Sequence, residues 1–218
     1  MQHAFWDDRW AQGLIGFHRP GPNDLLVMHA DRLTGRPRVY VPLCGKSVDL
    51  VWLRDRGHDV VGSEFVGSAI AAFFSEQLPA VTPTSTRVNE LVLHEAAGLR
   101  IVQGDALKVD TFATGGRVDA IWDRAALVAV DPQDRAAYVD ALWRVLAPEG
   151  LILLVTFAYD QEKLPGPPWS VSHDDVEALF GERFRIERVV TRDEPLGPKF
   201  VEAGVSSLTE SLYALQKR

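Results

Sequence analysis

Residues 38–64 alternate between strand-like and helix-like patterns, and this alternation constrains the fold more than any other feature of the sequence. Arg38 to Leu43 is rich in Val and Tyr, as strands are, and Val48 to Arg56 is helix-like up to Gly57, a common helix stop. Asp59 to Glu64 is a second apolar strand. Because a short strand–helix–strand crossover is right-handed and joins parallel strands, the pattern predicts a parallel sheet covered by helices.

The same alternation continues to the end of the chain. Together with the two strands above, the patterns predict seven strands, the others being Leu99 to Gln103, Arg117 to Asp123, Leu151 to Phe157, Phe184 to Arg192 and Leu208 to Lys217. Further helices are predicted at Phe5 to Phe17, Leu25 to Leu33, Ser68 to Ser75, Asp134 to Leu146 and Ser172 to Phe180, the last with Ser172 as its N-cap. The polar stretch Gln77 to Glu95 is predicted to be an irregular insertion. The expected fold is α/β, a doubly wound, mostly parallel seven-stranded sheet with a C-terminal antiparallel strand.

Composition and charge restrict the class of protein. A chain of 218 residues with 46% hydrophobic residues is expected to form one globular domain over residues 1–218. The net charge of −7, without a Lys/Arg cluster, argues against nucleic acid as a ligand. Its single cysteine, Cys44, forms no internal disulfide and fits a reducing cytosol. The sequence shows no secretory signal and no span for a membrane, so we expect a cytoplasmic protein. Its acidic composition and the lack of an obvious exposed apolar stripe favour a monomer.

Two strand ends are the first candidates for a ligand site, because ligands of such sheets lie beyond the carboxyl ends of the strands. Gly45, in the turn after the first strand, lets the backbone approach a ligand closely. The turn lacks the spacing of a phosphate loop and of GxGxxG, so a dinucleotide site is weakly supported. Glu64 ends the second strand about twenty residues later, where a carboxylate can accept hydrogen bonds from both ribose hydroxyls of a nucleoside. We favour this role over that of an ordinary exposed carboxylate.

Two further strand ends carry polar residues with open alternatives. Asp105 and Ala106 follow the third strand and either read an adenine edge or begin a helix, with Asp105 as its N-cap. Asp123 and Arg124 follow the fourth strand and either face the reaction centre or form a surface ion pair of little energetic value. We favour the reaction centre because of its position at the shared edge. The histidines show no metal-ligand spacing, so no metal site is expected.

Several motifs together resemble the thiopurine S-methyltransferase family, in the same order and over nearly the whole chain. They are Phe5-Trp6-Asp7-Asp8-Arg9-Trp10 with Gly16-Phe17-His18, Val41-Pro42-Leu43-Cys44-Gly45-Lys46-Ser47, Gly57-His58-Asp59-Val60-Val61-Gly62-Ser63-Glu64, Trp122-Asp123-Arg124-Ala125-Ala126-Leu127-Val128-Ala129, and Gly166-Pro167-Pro168-Trp169-Ser170-Val171. Two positions depart from the family pattern. Ala125 stands where Gly is usual, which we interpret as a minor steric change, and Trp169 stands where Phe is commoner, which bears on the choice of acceptor.

The resemblance implies a class I, Rossmann-like methyltransferase that uses S-adenosyl-L-methionine and releases S-adenosyl-L-homocysteine. It implies methyl transfer to the sulfur of a small (hetero)aromatic thiol such as a thiopurine. Residues 1–35 would form a helical cover over the active site. The implied cofactor contacts are Trp10, Leu43, Gly45, Glu64, Asp105, Ala106 and Arg124, the implied acceptor contacts are Phe17 and Trp169, and the catalytic candidates are Asp123 and Arg124.

Other functions stay open at this point. Within the same enzyme class, the acceptor is alternatively an inorganic soft nucleophile such as tellurite, selenite, halide or thiocyanate. A nicotinamide-dependent oxidoreductase would also use Glu64 for a ribose, although GxGxxG is missing. A binding module that has lost catalysis is the third alternative, against which Trp10, Glu64 and Arg124 argue together.

Overall fold

The computed structural model describes residues 3–218, and within this range the chain forms one nine-stranded sheet with seven α-helices. The strands are β1 Arg38–Val41, β2 Asp59–Glu64, β3 Thr84–Val88, β4 Leu91–Ala96, β5 Leu99–Gln103, β6 Val118–Asp123, β7 Leu146–Ala158, β8 Phe184–Asp193 and β9 Thr209–Lys217. The helices are α1 His3–Ala11, α2 Asp24–Met28, α3 Asp49–Arg54, α4 Gly67–Gln77, α5 Arg135–Val145, α6 His173–Phe180 and α7 Pro198–Glu202. The N-terminal part of the expected domain and cover, residues 1 and 2, lies outside the described residues.

The strand order is β3-β4-β5-β2-β1-β6-β7-β9-β8. The run from β5 to β7 is parallel, whereas β9 is antiparallel to both β7 and β8. The direction of winding reverses between β1 and β6, which places the switch point of a doubly wound sheet there. The expected α/β class is thus confirmed, and the seven predicted strands form the continuous block from β5 to β8.

Helices cover both faces of the sheet because the strand side chains alternate between two cores. Tyr40 and Val61 belong to the core under α5 and α6, which contribute Tyr138 and Phe180. The neighbouring residues Val39, Val41 and Val60 belong to the core under α2, α3 and α4, with Leu26, Leu50 and Phe73 from these helices. This period of two, apolar on both sides, is what a parallel strand buried between two helical layers requires.

The prediction of an irregular insertion at Gln77 to Glu95 is wrong. The segment forms β3 and the first part of β4, an antiparallel hairpin that pairs with β5 through contacts such as Leu93 with Val102. Leu91 and Leu93 are buried on the sheet, whereas the first four residues of β3 are exposed. The hairpin adds two strands to the predicted seven at this edge.

Two predicted element boundaries also change. The N-terminal helix ends at Ala11 and does not reach Phe17, because Gly13 turns the chain with a φ of 68°. Strand β7 begins at Leu146 and includes residues 147–150, which were expected to separate helix from strand. The register of β7 against β6 shifts there, with Val118 opposite Leu146 and Ala120 opposite Leu151. A bulge therefore absorbs the extra residues without ending the strand.

Helix α6 confirms the predicted cap. Ser172 accepts a hydrogen bond from the Asp175 backbone N–H, and the Asp175 side chain accepts one from the backbone N–H of Ser172, which together form a capping box. Among the helices of residues 3–218, none has both the length and the apolar character needed to cross a bilayer.

Candidate active site

The turn after β1 is held in a left-handed conformation directly beside the end of β2. Leu43 has a φ of 46° and Gly45 a φ of 53°, a region that side chains disfavour. The backbone N–H of Cys44 donates to the Ser63 carbonyl at 2.8 Å, so the turn rests on β2. A Cβ at position 45 would lie 3.1 Å from Cζ2 of Trp10, a close contact that adds to the conformational preference for glycine.

Glu64 lies buried at the end of β2 and joins the two predicted strand ends. Its Oε2 accepts from the Gly45 backbone N–H at 2.8 Å, and its Oε1 accepts from the backbone N–H groups of Phe65 and Val66, both at 2.7 Å. Burial raises the pKa of Glu64, and the charge of Asp7 adds to the rise, while the three hydrogen bonds oppose it. Because Oε2 accepts a single protein donor, it keeps acceptor capacity for a hydroxyl.

Aromatic side chains of the N-terminal segment lie over the Gly45 turn. The rings of Trp6 and Trp10 each meet the ring of Phe17 edge to face, with centroids 6.0 and 5.9 Å apart. Phe17 is not part of α1 but folds back beside it, because the helix has ended at Ala11. The rings of Trp6, Trp10 and Phe17 thereby form an apolar roof, and those of Trp10 and Phe17 lie beside Gly45.

Arg124 lies just beyond the end of β6 and binds this roof. Its Nη1 donates to the Phe17 carbonyl at 2.6 Å, and its buried Nε has no hydrogen-bond partner in the structure. Burial lowers the pKa of Arg124, with the charge of Asp49 as the largest opposing effect. Arg124, Phe17, Leu43, Asp49 and Trp122 line one cavity between the roof and the sheet.

Asp123 does not form the surface ion pair that was one of its two predicted alternatives, and its role at the reaction centre stays a prediction. Asp123 is fully buried and accepts from the Leu127 backbone N–H at 3.0 Å and from the Tyr138 hydroxyl at 2.7 Å. Burial raises the pKa of Asp123 to about 6. Its carboxylate therefore faces the α5 side of the sheet and fixes the turn after β6, whereas Arg124 faces the cavity.

Ala125, next to Arg124, has a φ of 61°. This is the left-handed region in which alanine is strained, so the departure from glycine noted in the sequence is more than a minor steric change. It places backbone strain beside the cavity.

Asp105 and Ala106 lie beside Glu64, because the backbone N–H of Gly104 donates to the Glu64 carbonyl at 3.0 Å. The Asp105 carboxylate accepts from the Leu107 backbone N–H at 3.0 Å and caps a short 3₁₀ helix, Ala106–Lys108. The N-cap alternative is thus observed, and the contact of these two residues with adenine stays a prediction.

Trp169 lies in the loop that follows β7. Its backbone N–H donates to the Val128 carbonyl at 2.6 Å, and its ring lies against Gly166, where a Cβ would come within 2.3 Å of the ring. Lys199 donates to the Pro167 carbonyl of the same loop at 3.1 Å. Among the described residues, the lining of the cavity beside Arg124 does not include Trp169, so its acceptor contact stays a prediction.

Asp49 is a buried carboxylate of the cavity lining that was not predicted from the sequence. An aspartate at the start of a helix is common because its negative charge interacts favourably with the helix dipole. The pattern therefore gives no functional signal. Only the approach of Asn23 and Trp122, distant in sequence, shows its position. Among residues 3–218, no three His, Cys, Asp or Glu side chains form a group that could hold a metal ion.

Solved structures of other proteins share this fold. The chain superposes with a TM-score of 0.64 and 16% identity on a 1,6-didemethyltoxoflavin-N1-methyltransferase from Burkholderia thailandensis, solved with S-adenosylhomocysteine, covering 99% of this chain and 87% of that one. It matches a TehB-like SAM-dependent methyltransferase from Corynebacterium glutamicum with a TM-score of 0.56 and 15% identity, covering 99% and 98% of the two chains. The architecture is that of a class I, Rossmann-like methyltransferase.

Sequence similarity then identifies the family. The family model described as Thiopurine S-methyltransferase (TPMT) matches residues 1–218. A thiopurine S-methyltransferase from Methylococcus capsulatus is 42% identical over 99% of this chain and 98% of its own, and one from Pseudomonas fluorescens is 42% identical over the full length of both. The chain therefore belongs to the thiopurine S-methyltransferase family, and it is an S-adenosylmethionine-dependent methyltransferase.

Proposed function

We propose that the chain transfers the methyl group of S-adenosylmethionine to the sulfur of a small (hetero)aromatic thiol, such as a thiopurine. The observation that carries the proposal is that Glu64 binds the Gly45 turn while Arg124 binds Phe17 of the aromatic roof beside that turn. The full-length relatives, which are named thiopurine S-methyltransferases, suggest the acceptor class.

The residues around the Gly45 turn fit S-adenosylmethionine. Glu64 keeps acceptor capacity on Oε2 for a ribose hydroxyl, and its burial makes that hydrogen bond strong. Gly45 leaves no side chain between the backbone and the ring of Trp10. Trp10, Leu43, Gly45 and Glu64 would hold the cofactor, with Asp105 and Ala106 beside the adenine.

When bound, S-adenosylmethionine supplies a methyl group on a sulfonium, an electrophile whose leaving group is a neutral thioether. In the transfer, the acceptor sulfur forms a bond to the methyl carbon while the bond to the donor sulfur breaks, and the proton of a thiol acceptor is lost to solvent. The chain's own residues position the acceptor and favour its anionic form.

Arg124 is the residue that favours the anion. Its guanidinium is partly desolvated and remains cationic at neutral pH, because arginine keeps its proton in proteins. A cation beside the acceptor lowers the pKa of a thiol and raises the fraction of thiolate, which is the nucleophile. Since aromatic thiols ionise near neutrality, the site needs no strong base, and the buried Asp123 is not required as one.

The roof would exclude water from the reacting sulfur. Phe17 lies in the cavity lining, and Trp169 would approach the acceptor from the loop after β7. We propose that the protein acts as a cytoplasmic monomer without nucleic-acid or membrane partners, which its charge of −7 and single cysteine support. Light scattering after gel filtration tests the monomer, and a dimer mass would contradict it.

A methyl-transfer assay tests the reaction. The protein, S-adenosylmethionine and one acceptor are incubated, and the methylated product is measured by mass spectrometry for an aromatic thiol, a thiopurine, selenite, tellurite and a halide. S-methylation of the aromatic thiols above the inorganic acceptors is expected. Preference for an inorganic acceptor would show that the function is methylation of inorganic soft nucleophiles. Tight cofactor binding without any product would indicate a binding module.

A further inference from the structure

Asp49 joins three segments of the chain in the wall of the cavity. It is the first residue of α3 and is 3% exposed. Its Oδ1 accepts from the Asn23 backbone N–H at 2.8 Å, and its Oδ2 accepts from Nε1 of Trp122 at 2.8 Å. The carboxylate therefore connects the N-terminal segment, the β1–α3 turn and strand β6.

Residues 17–23 are held at both ends by charged side chains of the cavity. Arg124 binds the Phe17 carbonyl at 2.6 Å, and Asp49 binds the Asn23 backbone N–H at 2.8 Å. Asn23 in turn caps α2 by accepting from the backbone N–H groups of Leu25 and Leu26. Loss of the Asp49 carboxylate would release residues 17–23 at Asn23 and leave them held at Phe17.

Asp49 also opposes the charge of Arg124, and both residues line the same cavity. Of the charges that act on the guanidinium, the Asp49 carboxylate has the largest effect. The other charged or titratable groups that act on Arg124 or line the cavity with it are Arg19, Glu210, Asp24, His18, Lys46 and Cys44. Arg19 and Asp24 are exposed, so water screens them more than the buried Asp49.

We propose that Asp49 is a positioning residue of the active site, which anchors residues 17–23 and balances the charge of Arg124. By this balance it sets the preference between anionic and neutral acceptors. The acceptor part rests on the proposed thiol methyl transfer, whereas the anchoring part does not. Without the charge of Asp49, the attraction of Arg124 for an anionic acceptor would be opposed less.

Three variants separate charge from anchoring. Asp49→Asn removes the charge and retains the size, Asp49→Glu retains the charge and displaces the carboxylate, and Asp55→Asn is the control on the exposed end of the same helix. The acceptors are a thiophenol that carries a carboxylate and its neutral methyl ester. Asp49→Asn is expected to shift the ratio of their kcat/KM values toward the anion by about threefold to tenfold, the scale of a partly screened charge at this range.

The pH profile gives a readout that a structural role alone would not move. In Asp49→Asn the midpoint of kcat for an aromatic thiol is expected to fall to lower pH, because kcat reports ionisation in the enzyme–substrate complex, where a less opposed Arg124 favours the thiolate. Asp49→Glu and Asp55→Asn are expected to keep the wild-type midpoint. An unchanged acceptor ratio and midpoint in Asp49→Asn, or equal changes in Asp55→Asn, would overturn the charge balance.

Hydrogen exchange tests the anchoring without any turnover. The Asn23 amide is expected to exchange at least tenfold faster in Asp49→Asn and in Asp49→Glu than in the wild type, and to stay unchanged in Asp55→Asn. Unchanged exchange in both Asp49 variants would overturn the anchoring. If the wild type methylates no thiol, the proposed function fails while this measurement still decides the role of Asp49. If Asp49→Asn does not fold, Asp49→Glu carries the exchange test.

Discussion

Replacement of Gly45 by alanine perturbs the cofactor turn at a single atom. The backbone at this position has a φ of 53°, and left-handed geometry costs an alanine about 1–2 kcal/mol. The new Cβ would lie 3.1 Å from Cζ2 of Trp10, so the ring must move by a few tenths of an ångström. Trp10 is half-buried on the terminal helix α1 and can shift, so the backbone strain accounts for most of the lost stability.

The expected effects differ between stability and binding. A loss of about 1–2 kcal/mol lowers the Tm of a chain of this size by about 2–8 °C. The displaced Trp10 no longer closes over the turn, so we expect the affinity for S-adenosylhomocysteine to fall about tenfold or more, which is ~1.4 kcal/mol or more. Thermal unfolding measures the first effect and isothermal titration calorimetry the second.

Gly35→Ala is the matched control. Gly35 has a φ of 75°, and a Cβ there would have no atom within 4 Å. It is therefore expected to lower the Tm by a similar amount while the affinity for S-adenosylhomocysteine stays at the wild-type value. Wild-type affinity in Gly45→Ala, or equal weakening in Gly35→Ala, would refute the placement of the cofactor at this turn.

Three other substitutions test the end of β6. Arg124→Ala is expected to lower kcat/KM for aromatic thiols by about tenfold to a hundredfold and to weaken cofactor binding less, because the cation acts on the acceptor. Steady-state kinetics measure the first effect and calorimetry the second, and equal losses would contradict this role. Ala125→Gly is expected to raise the unfolding free energy by up to about 1 kcal/mol by relieving a φ of 61°; denaturant unfolding measures it, and a loss of stability would contradict the strain. Asp123 has a pKa of about 6 in the folded state, above the ~3.9 of an aspartate in an unfolded chain. The folded state therefore binds the proton more tightly, and ionisation of Asp123 lowers the stability of the fold as pH rises from about 4 to 6. Asp123→Asn is expected to remove roughly 2–3 kcal/mol of this decline relative to wild type in unfolding curves across that window, and parallel pH curves would contradict the shift.

The central strands could be predicted because burial on both faces gives them continuous apolar runs between clear stops. Asp59–Glu64 and Leu99–Gln103 appear in the structure with the predicted bounds. Gly57 and Gly104 lie in the neighbouring turns and have positive φ angles, and glycine at such positions can be recognised in the sequence. Here local preference and tertiary packing agree.

The hairpin at the sheet edge could not be predicted because its pairing is tertiary. Strand β3, with the sequence Thr-Ser-Thr-Arg-Val, is exposed at its first four residues and has no apolar face. Its partner β4 buries only Leu91 and Leu93, too few for a clear alternation. The pairing of β4 with β5 supplies the missing stabilisation, and no local pattern reports it.

At the candidate active site, the sequence predicted which strand ends lie together but not every side-chain direction. Gly45 and Glu64, nineteen residues apart, meet in a hydrogen bond of 2.8 Å as their positions at neighbouring strand ends suggested. The direction of the Asp123 side chain follows the alternation of the strand, which still holds for the last residue of a strand. Asp123 shares the face of Ile121 and bonds Tyr138, whereas Arg124 leaves the strand toward the cavity.

Calorimetric titration of the wild-type protein with S-adenosylmethionine, S-adenosylhomocysteine and, separately, a nicotinamide dinucleotide tests the central claim most directly. The site described here predicts micromolar binding of the first two, clear weakening of both by Glu64→Ala, and no binding of the dinucleotide. Binding of the dinucleotide without binding of S-adenosylhomocysteine would contradict the assignment of the Gly45–Glu64 site and leave only the fold.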